Sequence, residues 1–196
     1  MLRKSKPYLI VGLGNPDREF HGNRHNIGFM VLDSLAARLE TSFSRLKMSA
    51  LMTAVRYKGE RLILIKPQTF MNLSGQAVSS FLRFYKLPPE NLLVVYDDVD
   101  LPFETLRLKP NGGDAGQKGV RSIIQQLGTQ DFPRLRVGIG RPPGRMSVSS
   151  YVLQDFSGSE KELLPLVLDQ ATSAVLHFIE NGLESAMTLY NQQPPS

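Results

Sequence analysis

The chain has no cysteine, which excludes disulfides, thiolate nucleophiles and cysteine-ligated zinc. It has no apolar run approaching the roughly 20 residues of a membrane-spanning helix. Hydrophobic residues still make up 41% of its 196 positions, enough for one sizeable core, so a soluble single domain is expected over 1–191, with a disordered tail at 192–196. The basic start, Met1-Leu2-Arg3-Lys4-Ser5-Lys6, is followed by no apolar segment long enough for a secretory signal, so a cytoplasmic protein is expected. Aromatic residues are only 8% of the chain, and no aromatic-rich platform for stacking bases is visible. Histidine is scarce as well, with His21, His25 and His177 the only three.

Acidic charge is unevenly distributed. Of 23 Lys and Arg, 22 precede residue 150, against 12 of the 18 acids, leaving a basic body and an acidic C-terminal segment. That asymmetry fits a polyanionic partner touching one part of the surface. Arg107, Lys109, Lys118, Arg121, Arg134, Arg136, Arg141 and Arg145 are the candidate phosphate contacts. Arg107 and Lys109, two apart on an extended segment, share a face.

Hydrophobic periodicity gives an alternating pattern. Tyr8-Leu9-Ile10-Val11 reads as a buried strand, and Ile27, Met30, Val31, Leu35 and Leu39 as one face of a helix over about 26–39. Met52 to Tyr57 and Leu62 to Lys66 read as strands joined at Lys58-Gly59-Glu60. Asn72 opens a helix to about Tyr85, with Leu73, Ala77, Phe81, Leu82 and Tyr85 on one face, stopped by Pro88-Pro89. Leu92 to Tyr96 is a strand buried on both faces, and Thr105 to Leu108 a short one. A helix over about 116–127, a strand from Leu135 to Ile139, a long mobile loop from Pro142, a helix from about Ser159 to Ile179 and a short helix to about Tyr190 complete the chain. The class is therefore α/β: a single domain with a twisted mixed, mostly parallel sheet and helices on both faces.

Sites in such sheets lie beyond the carboxyl ends of the strands. Three polar segments fall there: Asn15 to Asn26, Gln68 to Asn72, and Asp97 to Asp100. The Gly112–Gly119 loop is placed to close over them. His25 sits in the first segment among Asn15, Asn23, Arg24 and Asn26, at the start of a helix whose dipole disfavours an imidazolium and keeps the ring neutral. A neutral imidazole can take a proton at pH 7. Asp97, at the end of a buried strand, suits a carboxylate that fixes the tautomer of that ring. Asn15 and Asn72 offer amides to a developing oxyanion, or else act as turn formers and helix caps.

The stretch Gly12 to Gly28, G-L-G-N-P-D-R-E-F-H-G-N-R-H-N-I-G, resembles the signature of the bacterial peptidyl-tRNA hydrolases. Lys66 to Gly75 (K-P-Q-T-F-M-N-L-S-G), Tyr96 to Pro102 (Y-D-D-V-D-L-P), the glycines at 112, 113, 116 and 119, and Arg134 to Pro142 (R-L-R-V-G-I-G-R-P) follow in that family's order, so the resemblance covers nearly the whole chain. It implies a His25 general base oriented by Asp97. It also implies substrate contacts at Asn15, Phe20, Met71, Asn72 and Lys118, and tRNA contacts at Arg107, Lys109 and Arg136. It further implies peptidyl-tRNA as partner, held by its acceptor arm and CCA end, with no cofactor, metal or membrane, and a monomer. This chain has Asp17 where the family has Gly, Phe20 where it has Tyr, and Gln117-Lys118-Gly119 where it commonly has His-Asn-Gly. A binding-only relative, similar to plastid intron-splicing factors, is the alternative. Metal-dependent phosphoryl transfer through Asp97, Asp98 and Asp100 is weakened because neighbours on an extended segment face opposite ways. A dinucleotide site at Gly12-x-Gly14 fails because Asp17 stands where the third glycine belongs.

Overall fold

The computed structural model describes residues 6–192; the first five residues and 193–196, and with them most of the expected disordered tail, lie outside the described residues. One seven-stranded sheet has the order β2-β3-β4-β1-β5-β7-β6. The strands are β1 (Tyr8–Gly12), β2 (Arg45–Lys47), β3 (Ala50–Tyr57), β4 (Glu60–Pro67), β5 (Leu92–Asp98), β6 (Leu106–Lys109) and β7 (Arg134–Gly138). The central four, β4, β1, β5 and β7, are parallel, and β2, β3 and β6 extend the edges in antiparallel pairs.

Alternation along the strands sorts their side chains between two cores. Ile10, Leu93 and Val95 pack under α1 (Ile27–Arg38) and α5 (Gly158–Tyr190). Leu9, Val11, Leu92, Val94 and Tyr96 pack under α2 (Ser74–Tyr85) and α3 (Lys118–Leu127). β5 is buried along its whole length, as its apolar run requires, and ends in two buried carboxylates, Asp97 and Asp98. The helix ends are chemically marked. Gln117 caps α3, Ser157 and Glu160 form a capping box on α5, and Gly128 ends α3 with φ +68°, a conformation glycine adopts without steric cost.

The structure differs from the expected elements in a few places. β2 has three residues, two of them exposed, too short for a hydrophobic pattern. Leu73 is exposed rather than on the buried face of α2. The segment after Pro142 is not a free loop, because it contains α4 (Val148–Val152), capped by Ser147. Tyr151 in α4 donates to the Ile139 carbonyl at 2.8 Å. The chain just beyond it is pinned to the turn Asn23–Asn26 by Arg24 N–H on the Gln154 carbonyl, 3.0 Å, and by the Asn23 amide on the Leu153 carbonyl. The two C-terminal helices are as expected, separated at Gly182, where φ +82° and ψ 171° are non-helical.

Candidate active site

Two glycines set the position of the site. A Cβ on Gly12 would stand 2.3 Å from the Gly28 carbonyl oxygen, and one on Gly28 would stand 2.4 Å from the Val95 carbonyl oxygen. Without side chains at these points the start of α1 rests directly on the ends of β1 and β5. The 3-10 turn Arg24–Asn26 that leads into α1 therefore brings His25 to the end of β5. His25 Nδ1 lies 2.8 Å from Asp97 Oδ2, and both residues are buried. The carboxylate can only accept, so Nδ1 carries the proton and Nε2 is left as the basic nitrogen.

Asp97 has a second partner. Gln117 Nε2 donates to Asp97 Oδ1 at 3.1 Å, while Gln117 Oε1 accepts from the N–H groups of Gly119 (2.6 Å) and Val120 (2.9 Å) at the start of α3. The two backbone donors on Oε1 decide which way the amide faces. Both oxygens of Asp97 are thus engaged, one by the base and one by a helix cap. Asn15 is held in the same manner. Its N–H donates to Asn26 Oδ1 and its carbonyl accepts from Asn26 Nδ2, both at 2.9 Å, and its Oδ1 accepts from Met71 N–H at 3.1 Å. Asn15 Nδ2 has no hydrogen-bond partner among the described residues and is left to meet a ligand. Gln117 and Asn26 are the positioning residues that sequence reading missed. The signal for Gln117 was its place in the glycine loop where the family commonly has His; the expected helix began one residue before it, at about 116, so its capping role was not visible.

Burial is the largest influence on His25 and pulls its pKa down. The charge and hydrogen bond of Asp97 outweigh burial, Lys118 opposes them, and the net direction is upward from 6.5. His25 does sit at a helix start as expected, and the buried carboxylate sets the net direction of its shift.

A cavity of about 680 Å³ opens beside the pair. Asn15, His25, Met71, Asn72, Asp97 and Lys118 line it, together with Phe70 and the Asp114–Gln117 loop. Asn72 is exposed and caps no helix. Phe20 does not line the cavity. It ends the 3-10 turn Arg18–Phe20, half-buried and apart from the other candidates. The three aspartates of 97–100 diverge: Asp98 pairs with Arg136 Nε at 2.5 Å and Asp100 with Arg141.

Arg107, Lys109 and Arg136 stand on the β6–β7 edge and do not line the cavity, though Arg136 holds Asp98, which does; Arg107 is directly opposite Arg136. Arg134 is not a phosphate contact. It is 1% exposed and its guanidinium holds the Phe132, Gly113 and Gln130 carbonyls, fixing the base of the glycine loop. Arg121 is tied to Asp114.

An α/β sheet whose strand ends present an imidazole held by a buried carboxylate beside a cleft lined with amides is the arrangement of hydrolases that use a general base. The comparisons with known proteins narrow the class. The Peptidyl-tRNA hydrolase family profile matches residues 9–196. The chain is 48% identical over 184 residues to the peptidyl-tRNA hydrolase of Caldanaerobacter subterraneus subsp. tengcongensis, covering 94% of this chain and 99% of that one. It is 49% identical over 185 residues to that of Frankia alni, covering 94% of each. The crystal structure of peptidyl-tRNA hydrolase from Acinetobacter baumannii superposes with a TM-score of 0.90 at 34% identity, over 99% of both chains. The chain belongs to the peptidyl-tRNA hydrolase family. A plant 5'-methylthioadenosine nucleosidase, 8% identical with a TM-score of 0.51, shares the fold alone.

Proposed function

We propose that this chain hydrolyses the ester that joins a peptide to the terminal ribose of a tRNA, with His25 as general base. The observation that carries the reading is the buried 2.8 Å contact between His25 Nδ1 and Asp97 at the wall of a cleft lined by Asn15, Met71 and Asn72. Water gives a proton to His25 Nε2 as its oxygen adds to the ester carbonyl. Asp97 steadies the imidazolium formed. Asn15 Nδ2 and the Asn72 amide donate to the oxyanion, and Lys118, at the first turn of α3, adds positive charge. Collapse of the intermediate expels the ribose oxygen, which takes the proton back from His25. Free peptide and reusable tRNA leave.

Met71 contributes the wall against the peptide end. Arg107, Lys109 and Arg136 take phosphates of the acceptor arm while the CCA end enters the cleft. Every group in this scheme comes from one chain, which fits a monomer, and the substrate fits the cytoplasm. Among the described residues no helix is long and apolar enough to cross a membrane. Phe20 has no part in the scheme, since it does not line the cleft. A purely RNA-binding role would leave the buried base–carboxylate pair unused.

His25→Ala should lower single-turnover hydrolysis of N-acyl-aminoacyl-tRNA by about 10²–10⁴-fold while binding of the uncleaved substrate holds. Near-normal turnover in that variant rejects the assignment.

A further inference from the structure

We propose that the β2 edge of the sheet carries a second RNA-binding surface, distinct from the cleft and from Arg107 and Arg136, formed by Arg45, Lys47, Arg56, Arg61 and the ring of Phe84. The strand register puts the four cations on one face, with Arg45 and Lys47 toward the Pro67 end and Arg56 and Arg61 toward the β3–β4 turn, and Lys47 Nζ and Arg61 Cζ converge on the Tyr85 ring at 5.6 and 5.5 Å. Arg45 pairs with Met52, Lys47 with Ala50, and Arg56 with Arg61. Positions 50, 52, 54 and 56 of β3 share a face, so all four cations stand on the face covered by α2, where Ala50 and Met52 pack. Lys47 Nζ lies 3.8 Å from the centroid of Phe84, and Arg61 Cζ lies 5.5 Å from that of Tyr85. Among the described residues, no ion pair or side-chain hydrogen bond engages any of the four.

Two like charges directly opposite on neighbouring strands repel, and Arg56 faces Arg61 across a shallow groove of about 220 Å³ lined by those two residues with Ala54 and Val55. That pairing invites an anion between them. Phe84 is 59% exposed, which leaves its ring within reach of a ligand. Phosphate-sized cationic space beside an exposed ring that now carries only the Lys47 ammonium and the Tyr85 edge is a combination that binds an RNA strand, with phosphates on the cations and a base displacing Lys47 from the ring.

Arg45 and Lys47 stand toward the Pro67 end of the sheet, three strands from β1, and the Arg56–Arg61 end of the surface lies furthest from the cleft. The Arg56–Arg61 pair adjoins the turn at the start of β4, and β4 runs for about 23 Å, at ~3.3 Å per residue, before reaching the cleft end at Pro67. From β2 to the β6 edge is six strand spacings, about 29 Å, and from Arg61 on β4 to Arg136 on β7 it is three, about 14 Å. The same phosphates cannot occupy both tracks.

The test uses fluorescence anisotropy with a labelled oligouridylate, titrated across salt concentrations in an R107Q/K109Q background that weakens the opposite track. The oligonucleotide should still bind. Adding R45Q, K47Q, R56Q and R61Q should weaken it by at least about tenfold and flatten the log K against log salt slope by about 0.7 for each phosphate left without its cation. Phe84→Ala should weaken binding by about tenfold with the slope unchanged, because a stacked base carries no counterion term. Turnover of N-acyl-aminoacyl-tRNA by the four-fold variant in the otherwise native chain serves as the check on folding. Should that variant fail to fold, Arg56→Glu alone must still weaken the complex. Unchanged affinity and slope in these variants overturn the proposal. So does tighter binding of an oligoglutamate peptide or of phosphatidylserine vesicles than of the oligonucleotide.

Discussion

His25 is pulled two ways, and the balance has a kinetic signature. Burial favours the neutral ring, Asp97 favours the charged one, and Asp97 prevails, so the pKa lies above 6.5. Only the neutral ring can accept a proton. The acidic limb of kcat/KM should therefore rise with pH through a midpoint above 6.5. In Asp97→Asn the remaining influences, burial and Lys118, both lower the pKa, so the limb should move below 6.5 while the plateau falls by about 10²–10⁴-fold. A pH–rate profile of both proteins decides it, and a limb that stays in place shows that Asp97 does not govern the base. Gln117 allows a finer cut. Gln117→Asn keeps a good helix cap but is one methylene too short for Asp97. It should lower kcat by about tenfold at unchanged KM and move the limb upward, since the Asp97 charge is then less neutralised. Gln117→Met loses both bonds and should also melt earlier, by about 1 kcal/mol of cap energy. If the two variants behave alike, with the limb unmoved, the cap alone matters.

At the scale of elements, the base and its carboxylate meet because α1 can lie on the ends of β1 and β5. Gly28→Ala would push a methyl into the Val95 carbonyl oxygen, 2.4 Å away, and the opposing atoms are backbone that cannot swing aside. It should cost at least about 1–3 kcal/mol and reduce turnover by moving His25 off Asp97. Urea midpoints and kcat measured together test this, and a stable, fully active variant would contradict it. Elements of this kind were legible in the sequence where a period was long enough to see. β1, β5, α1 and α2 have continuous or helical apolar patterns, and the observed boundaries fall within a few residues of the expected ones. β2 was not legible because three residues carry no period. α4 was not, because its buried residues, Tyr151 and Val152, are adjacent and show no helical spacing. His25, Asp97, Asn15, Met71, Asn72 and Lys118 could be read from motifs and do line one cleft. Gln117 could not, because its meaning depends on where α3 begins relative to the end of β5, a tertiary fact. Phe20, a departure from the family's Tyr, does not line the cleft, and Arg134 shows that an arginine on a strand can be a buried brace for carbonyls.

The whole molecule sorts its charge by face. α5 carries Glu160, Glu162, Asp169, Glu180 and Glu184 against the single cation Lys161, and it covers the α1 side of the sheet. Arg107, Lys109 and Arg136 stand on the opposite side: Arg136 pairs with Tyr96 and Arg107 with Arg136, and Tyr96 belongs to the α2–α3 core. A polyanion is therefore drawn to the α2–α3 face and repelled from α5. Arg107 is the clean probe of that field. Its Nε is buried without a partner, whereas Arg136 is the partner of buried Asp98, so replacing Arg136 would strand a charge and blur the reading. Arg107→Gln should raise KM for peptidyl-tRNA while leaving kcat alone. It should flatten the dependence of log kcat/KM on log salt by about 0.9 if one duplex phosphate is no longer neutralised. A minimal substrate, an N-acyl-aminoacyl ester of adenosine, has no acceptor arm and should be cleaved equally by both proteins at every salt concentration. A fall in kcat on that small ester would mean that Arg107 supports the cleft itself rather than steering the arm of the tRNA toward it.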